Sequence, residues 1–189
     1  KLDVAILASY PNWGKSRRTD MTQTVKAIKA LNPKIKVFLY VIPESFKYPA
    51  PTVWSDFESK INQERWWLYP SGGLGSLVLS NFGRETYVLN LTNFAPKDSK
   101  GMRFNQWFAQ YVTDEFVKPN AYVDGLFTDN VFWKPRKDGD WDLNGSVDSQ
   151  NSTSVQANYR KGHMQYLSAL KGAPSGKYHI ANVADWVLP

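Results

Sequence analysis

Apolar and polar positions change period repeatedly along this chain, and the changes mark out its elements. Leu2–Ser9 (LDVAILAS) and Ile35–Ile42 (IKVFLYVI) are near-continuous apolar runs of strand length. Between them Met21, Val25, Ile28 and Leu31 recur at helical spacing, behind a capping pair of Asp20 and Gln23 and ahead of a stop at Asn32-Pro33. A second capping pair, Ser55 and Glu58, opens a short helix carrying Phe57 and Ile61, with Trp66 on its stripe. Tyr69–Arg84 is rich in Gly and Ser and reads as loop; Tyr87–Leu91 (YVLNL) reads as a third strand. Phe104, Trp107, Phe108, Tyr111, Val112 and Phe116 trace an amphipathic helix, which Pro119-Asn120 breaks. Ala121–Thr128 is a fourth strand. Val155, Tyr159, Tyr166, Leu167 and Leu170 mark a last helix before a fifth strand, Tyr178–Val183.

The resulting order, β-α-β-α-β-α-β-α-β, with strands apolar on both faces, predicts an α/β domain around a parallel sheet. No repeat beyond the βα unit and no linker-like segment divides the chain, so residues 1–189 are expected to form a single domain. A (β/α)8 barrel has eight strands. The chain therefore fits either about five of the eight units of a TIM-barrel-like fold, incomplete on its C-terminal side, or a smaller open sheet.

Composition narrows the chemistry. Cysteine is absent from the sequence, which excludes disulfides and thiolate metal sites and is permissive for a bacterial exported protein. No apolar run is long enough to predict a membrane span. The opening Lys1-Leu2-Asp3-Val4 has neither an initiator Met nor a signal-peptide pattern and reads as a processed, trimmed or incomplete start. A net charge of +6 raises nucleic acid as a partner. The basic residues are scattered, however, with Lys15, Arg17 and Arg18 the densest group and no nucleic-acid motif beside them. A solvated face, or mild attraction to an acidic polymer, is the better reading. Eight tryptophans are many for this length, and Trp66-Trp67, Trp133 and Trp141 fall in or near predicted loops. Rings on loops can stack on sugars through their apolar faces; rings in a core only pack.

Candidate chemistry gathers at the strand exits. The stretch Asp124-Gly125-Leu126-Phe127-Thr128-Asp129-Asn130 is a strand with an acid at each end. In a parallel barrel the C-terminal end carries catalysis and the other end stability, which makes Asp129 a catalytic candidate and Asp124 architectural. Glu44 and Asp185 stand at two more predicted exits, so all three acids would share one end of the sheet. Glycoside hydrolysis needs two carboxyl groups, one as acid and one as nucleophile or base. Asn130 and Asn182 near strand ends can bond sugar hydroxyls, or simply cap loops, and Trp67, Trp133 and Trp186 are the rings expected to line subsites. His163 lies on an apolar helix stripe and His179 inside a strand, so both read as packed.

A separate pattern runs from Asp140 to Asn151. Asp140, Asp142, Asn144, Gly145, Val147 and Asp148 follow positions 1, 3, 5, 6, 8 and 9 of an EF-hand loop, whose oxygens converge on Ca2+. Asn151 stands where a bidentate Glu is expected, and the flanks do not resemble paired EF-hand helices. A Ca2+ site and a metal-free turn built on Asx side chains both fit.

Taken in order, the segments Ile61–Tyr69, Asp124–Trp133, Asp138–Ser149 and Ala181–Trp186 resemble a glycosyl-hydrolase-like family known mainly from bacterial and metagenomic sequences. The strand-ending acid is also similar, more distantly, to that of polygalactosaminidase-type and other glycosidase barrels. The resemblance covers essentially the whole chain. It implies a (β/α)8 barrel and a polysaccharide-directed hydrolase, with a carbohydrate polymer as partner and an extracellular or cell-surface bacterial location. The alternative on the same scaffold is a non-catalytic carbohydrate-binding or surface-assembly protein, with a second chain or a missing C-terminal segment completing the barrel.

Overall fold

The structure is a computed structural model and describes residues 2–8, 19–71, 75–171 and 176–183. Lys15, Arg17, Arg18, Asp185 and Trp186 lie outside the described residues. Among the described residues, six strands and four α-helices follow one another as β1 (Val4–Ala8), α1 (Thr19–Leu31), β2 (Lys36–Val41), β3 (Ser45–Lys47), α2 (Ser55–Gln63), β4 (Thr86–Val88), α3 (Phe104–Val112), β5 (Gly125–Thr128), α4 (Thr153–Leu170) and β6 (Tyr178–Ala181). A short 3-10 turn precedes α2, and a π-helical turn, Thr113–Val117, extends α3.

The parallel sheet has four strands, in the order β1-β2-β5-β6. Sequence periodicity had predicted five. The third predicted strand is displaced: Thr86–Val88 pairs antiparallel with β3 in a separate two-stranded sheet, Phe46 opposite Tyr87. The reason is local. The edge of β2 that this strand would need is taken directly by β5, with Phe38 opposite Gly125 and Val41 opposite Thr128. The displaced segment finds other partners, Leu68 N–H bonding Val88 O and Val88 N–H bonding Val78 O. Its apolar pattern fixes strand character but not the strand it pairs with.

Successive side chains of β2 point to opposite faces. Val37, Leu39 and Val41 face the helices and join Leu126, Ala5 and Leu7 in the core. Aromatic rings fill the space between sheet and helices: Phe57 of α2 lies 5.4 Å from Trp107 and 5.8 Å from Phe108, and Phe108 stacks on Tyr166 of α4 at 5.7 Å. The Tyr166 hydroxyl reaches Thr128 Oγ1 at 3.0 Å, fixing α4 to the last residue of β5. Gly125 permits close β5–β6 contact, since a Cβ there would sit 1.9 Å from Tyr178 O.

The other face of the sheet is only partly covered. Ile6, Tyr178 and Ile180 are 46%, 55% and 41% exposed, in rows with Phe38 and Phe127. A closed barrel would bury this face in its interior; among the described residues the four parallel strands do not close on themselves. No helix among the described residues is long and apolar enough to cross a membrane.

Candidate active site

Because β2, β5 and β6 run parallel, their C-terminal ends share one edge, and three sequence-predicted residues meet there. Asp129 follows β5, and its backbone N–H bonds Val41 O at 2.9 Å, which holds the exit against β2. Asn182, just past β6, donates Nδ2 to Asp129 Oδ1 at 2.9 Å. Tyr40, on β2, donates its hydroxyl to Asp129 Oδ2 at 2.5 Å, and its ring stacks on Phe127 at 5.9 Å. Asn130 N–H also donates to Asp129 Oδ1, at 2.9 Å. Asn130 has φ 59, a left-handed conformation that turns the chain sharply off the strand.

Partial burial alone would raise the pKa of Asp129. The bonds from Tyr40, Asn182 and the Asn130 N–H outweigh it and hold the carboxyl below the usual aspartate value. Glu44 behaves in the opposite way. It sits three residues past β2, is 5% exposed, and burial lifts its pKa to about 7. Arg136 lowers it, the Asp129 charge raises it further, and Asn130 and Lys137 lower it. Asn130 thus faces Glu44, but Asn130 Nδ2 and Glu44 Oε2 miss hydrogen-bond geometry, and each is buried without a partner. One carboxyl is held ionised, and its neighbour is held protonated to near neutrality.

Two groups on α4 complete the surroundings. Tyr159 is buried with an unpartnered hydroxyl, and burial, then the Glu44 charge, push its pKa well above the usual phenol value. The ring of His163 packs edge-on against Tyr159 at 4.7 Å. Burial drops its pKa to about 3, so it is neutral, in keeping with a packed role.

Trp133 is half-buried on the loop after β5, with the Arg160 guanidinium 4.5 Å from its ring centre. Trp67 is corrected from the sequence expectation. It is 1% exposed, donates Nε1 to Asn62 Oδ1 at 2.6 Å, and packs on Tyr48, so it belongs to the core. Trp66 and Trp141 are fully buried as well. α2 ends at Gln63 and Arg65 takes φ 57, which turns the following aromatics inward. Asp140, Asp142 and Asp148 converge, each bringing a carboxylate oxygen within 4.8 Å of the others. Asn144 points its Nδ2 at Asp142 Oδ2 and its Oδ1 at Ser146 N–H.

Sequence reasoning missed Tyr40 and Tyr159. Tyr40 is the one polar tip near the end of an apolar strand, a usable signal; Tyr159 looked like any member of a helix stripe. An apolar cavity of about 630 Å³ opens beside Tyr40, lined by Ile6, Phe46, Trp54, Phe57 and Phe116, and neither carboxyl lines it. The strand exits, not this hollow, locate the acids.

The fold is similar to that of the glycoside hydrolase domain of PelA from Pseudomonas aeruginosa, with a TM-score of 0.50 at 13% identity over 95% of this chain and 59% of that one. It is also similar to the cycloalternan-degrading enzyme from Trueperella pyogenes, solved in complex with isomaltose, with a TM-score of 0.53 at 12% identity over 97% of this chain and 28% of that one. The chain thus spans less than two thirds of the length of either. No curated protein matches it. The model of hypothetical glycosyl hydrolase family 15 matches residues 29–187, a span that takes in Glu44, Asp129, Asn130 and Asn182, and the chain belongs to that family.

Proposed function

We propose that this chain carries the catalytic acid pair of a glycoside hydrolase that acts on a polysaccharide. Glu44 is the general acid that protonates the leaving oxygen, and Asp129 is the nucleophile or base. The observation that carries this reading is the opposite displacement of the two carboxyl groups at one end of the sheet, Glu44 up to about 7 and Asp129 down. Two acids with separated pKa values are what hydrolysis of a glycosidic bond requires. Asn182 and Tyr40 orient Asp129. Asn130 Nδ2, unpartnered beside Glu44, is suited to meet a sugar hydroxyl, and Trp133 offers a ring at the rim. Asp185 and Trp186 remain candidates as a further carboxylate and a further ring.

The half-covered sheet face and the likeness to longer glycoside hydrolase domains support a finer fold reading, the first strands of a (β/α)8 barrel whose inner face is that of Ile6, Phe38 and Tyr178. This reading goes with activity outside the cell or on its surface, where a polymer too large to cross a membrane is met. In the test, Asp129→Asn should abolish release of reducing sugar while the circular-dichroism spectrum stays unchanged. Glu44→Gln should fail on unactivated sugars yet keep turnover on aryl glycosides, whose leaving groups need no proton. Unchanged turnover in the folded Asp129→Asn chain would sink the assignment.

The same exposed sheet face supports a second reading, a carbohydrate-binding or assembly scaffold that a second chain or further segment covers. Glycan binding that survives Asp129→Asn, with no sugar release by the parent chain, would favour it.

A further inference from the structure

The loop between β5 and α4 holds a cluster that the chemistry at Glu44 and Asp129 leaves unused. Asp140, Asp142 and Asp148 bring three carboxylate oxygens within 4.8 Å of one another. Charges of one sign at this range repel. Among the described residues, no lysine or arginine pairs with any of the three. Backbone N–H groups satisfy part of the set: Gly145 donates to Asp140 Oδ2 at 2.9 Å, and Trp141 to Asp148 Oδ2 at 3.0 Å. The other oxygen of Asp140 is left over. Asp140 is 6% exposed, and its Oδ1 is buried without a partner. Buried polar atoms in native folds are almost always met by a donor or an ion.

We propose that these three carboxylates bind one Ca2+ ion, with Asp140 Oδ1 among the ligands. Oxygens bound to a single Ca2+ at about 2.4 Å can lie up to about 4.8 Å apart. An all-oxygen, carboxylate-rich set selects a hard cation over zinc or copper. The loop is anchored to the core rather than pendant. Asp140 N–H bonds Tyr69 O at 2.8 Å, Gly139 and Asp148 pair as a bridge, and the carbonyl of fully buried Trp141 accepts from Asn90 Nδ2 at 2.8 Å. The ion would therefore tie the loop that carries Arg136 and Lys137, whose charges lower the Glu44 pKa, to the body of the domain. The site does not depend on the glycosidase reading.

Calcium chloride titrated into chelator-dialysed protein, followed by calorimetry and thermal melting, tests it. The expected result is saturable heat at one ion per chain, with a Tm that climbs with the logarithm of Ca2+ concentration. Asp142→Asn alters an exposed side chain that the fold tolerates and should weaken binding at least ten-fold; Asp140→Asn should abolish it. If Asp140→Asn does not fold, Asp142→Asn and Asp148→Asn carry the comparison. Neither heat nor Tm shift up to about 10 mM Ca2+, ten-fold above the weakest extracellular sites, overturns the proposal. So does an affinity unchanged in Asp142→Asn and Asp148→Asn.

Discussion

Strand β5 is bracketed by two aspartates that are held in opposite ways. Asp124, at its start, accepts Lys29 Nζ at 2.5 Å, Lys36 Nζ at 3.3 Å and Val37 N–H at 2.8 Å. Asp129, past its end, accepts only neutral donors among its described contacts: Tyr40, Asn182 and its neighbour's N–H. Both carboxyls sit below the usual aspartate pKa, and in both cases burial works against the shift. At Asp124 the ammonium groups win, and they also cancel the charge. At Asp129 the donors stabilise the anion without neutralising it. A cancelled charge welds α1, β2 and β5 together; an uncancelled one is still available to a developing cation such as an oxocarbenium ion.

The sharpest way to break this comparison is to neutralise the two acids in turn. Asp129→Asn should cost about 10³-fold or more in turnover while moving Tm little, as read by sugar release and melting on the same sample. Asp124→Asn should do the reverse, with turnover per folded molecule unchanged and stability lower by about 1–3 kcal/mol, measured by urea unfolding. The acid sensitivity of stability should follow Asp124. Its folded pKa lies below the unfolded one, so its contribution is present above the ordinary aspartate range and is lost as pH falls through the lowered value. In Asp124→Asn that part of the acid limb should flatten.

Glu44 extends the comparison to an acid at which burial outweighs both devices, the cations Arg136 and Lys137 and the neutral donor Asn130. Its folded pKa, about 7, lies above the ordinary 4.5, so its proton is held more tightly in the native state. Stability from this group is complete below the unfolded value and is lost as pH rises toward 7, at about 1.4 kcal/mol per unit. Turnover should fall over the same region as Glu44 ionises. Glu44→Gln should remove the stability slope, and a slope that persists would assign it to another group. The smallest expected effect is that of Tyr40→Phe. It removes one neutral donor and should move the acid limb of the turnover profile upward in pH, with a loss of about ten-fold or less at the optimum. An unmoved acid limb would mean that Tyr40 does not tune Asp129.

Much of this contrast was legible in the sequence, and the illegible part has a common cause. Asp124 and Asp129 could be assigned to opposite ends because strand polarity follows from chain direction once the sheet is parallel. Glu44 could be placed at the same edge by the same logic. The displaced strand at Thr86–Val88 could not, since periodicity reports burial and not the partner. Trp67 was misplaced because a left-handed turn at Arg65 redirects the chain, and an arginine does not announce a positive φ as a glycine would. The donors that tune the acids, Tyr40 and Arg136, come from distant elements and are visible only after folding.

That distance has a kinetic side. Tyr40 and Asp129 are 89 residues apart in the chain, yet they share the shortest bond of the site. Closing so long a loop costs entropy, and the small antiparallel sheet and α3 lie within it. The poised aspartate thus depends on a long-range closure, and a chain that lost the β2–β5 pairing would keep its apolar segments but lose the donor that holds Asp129.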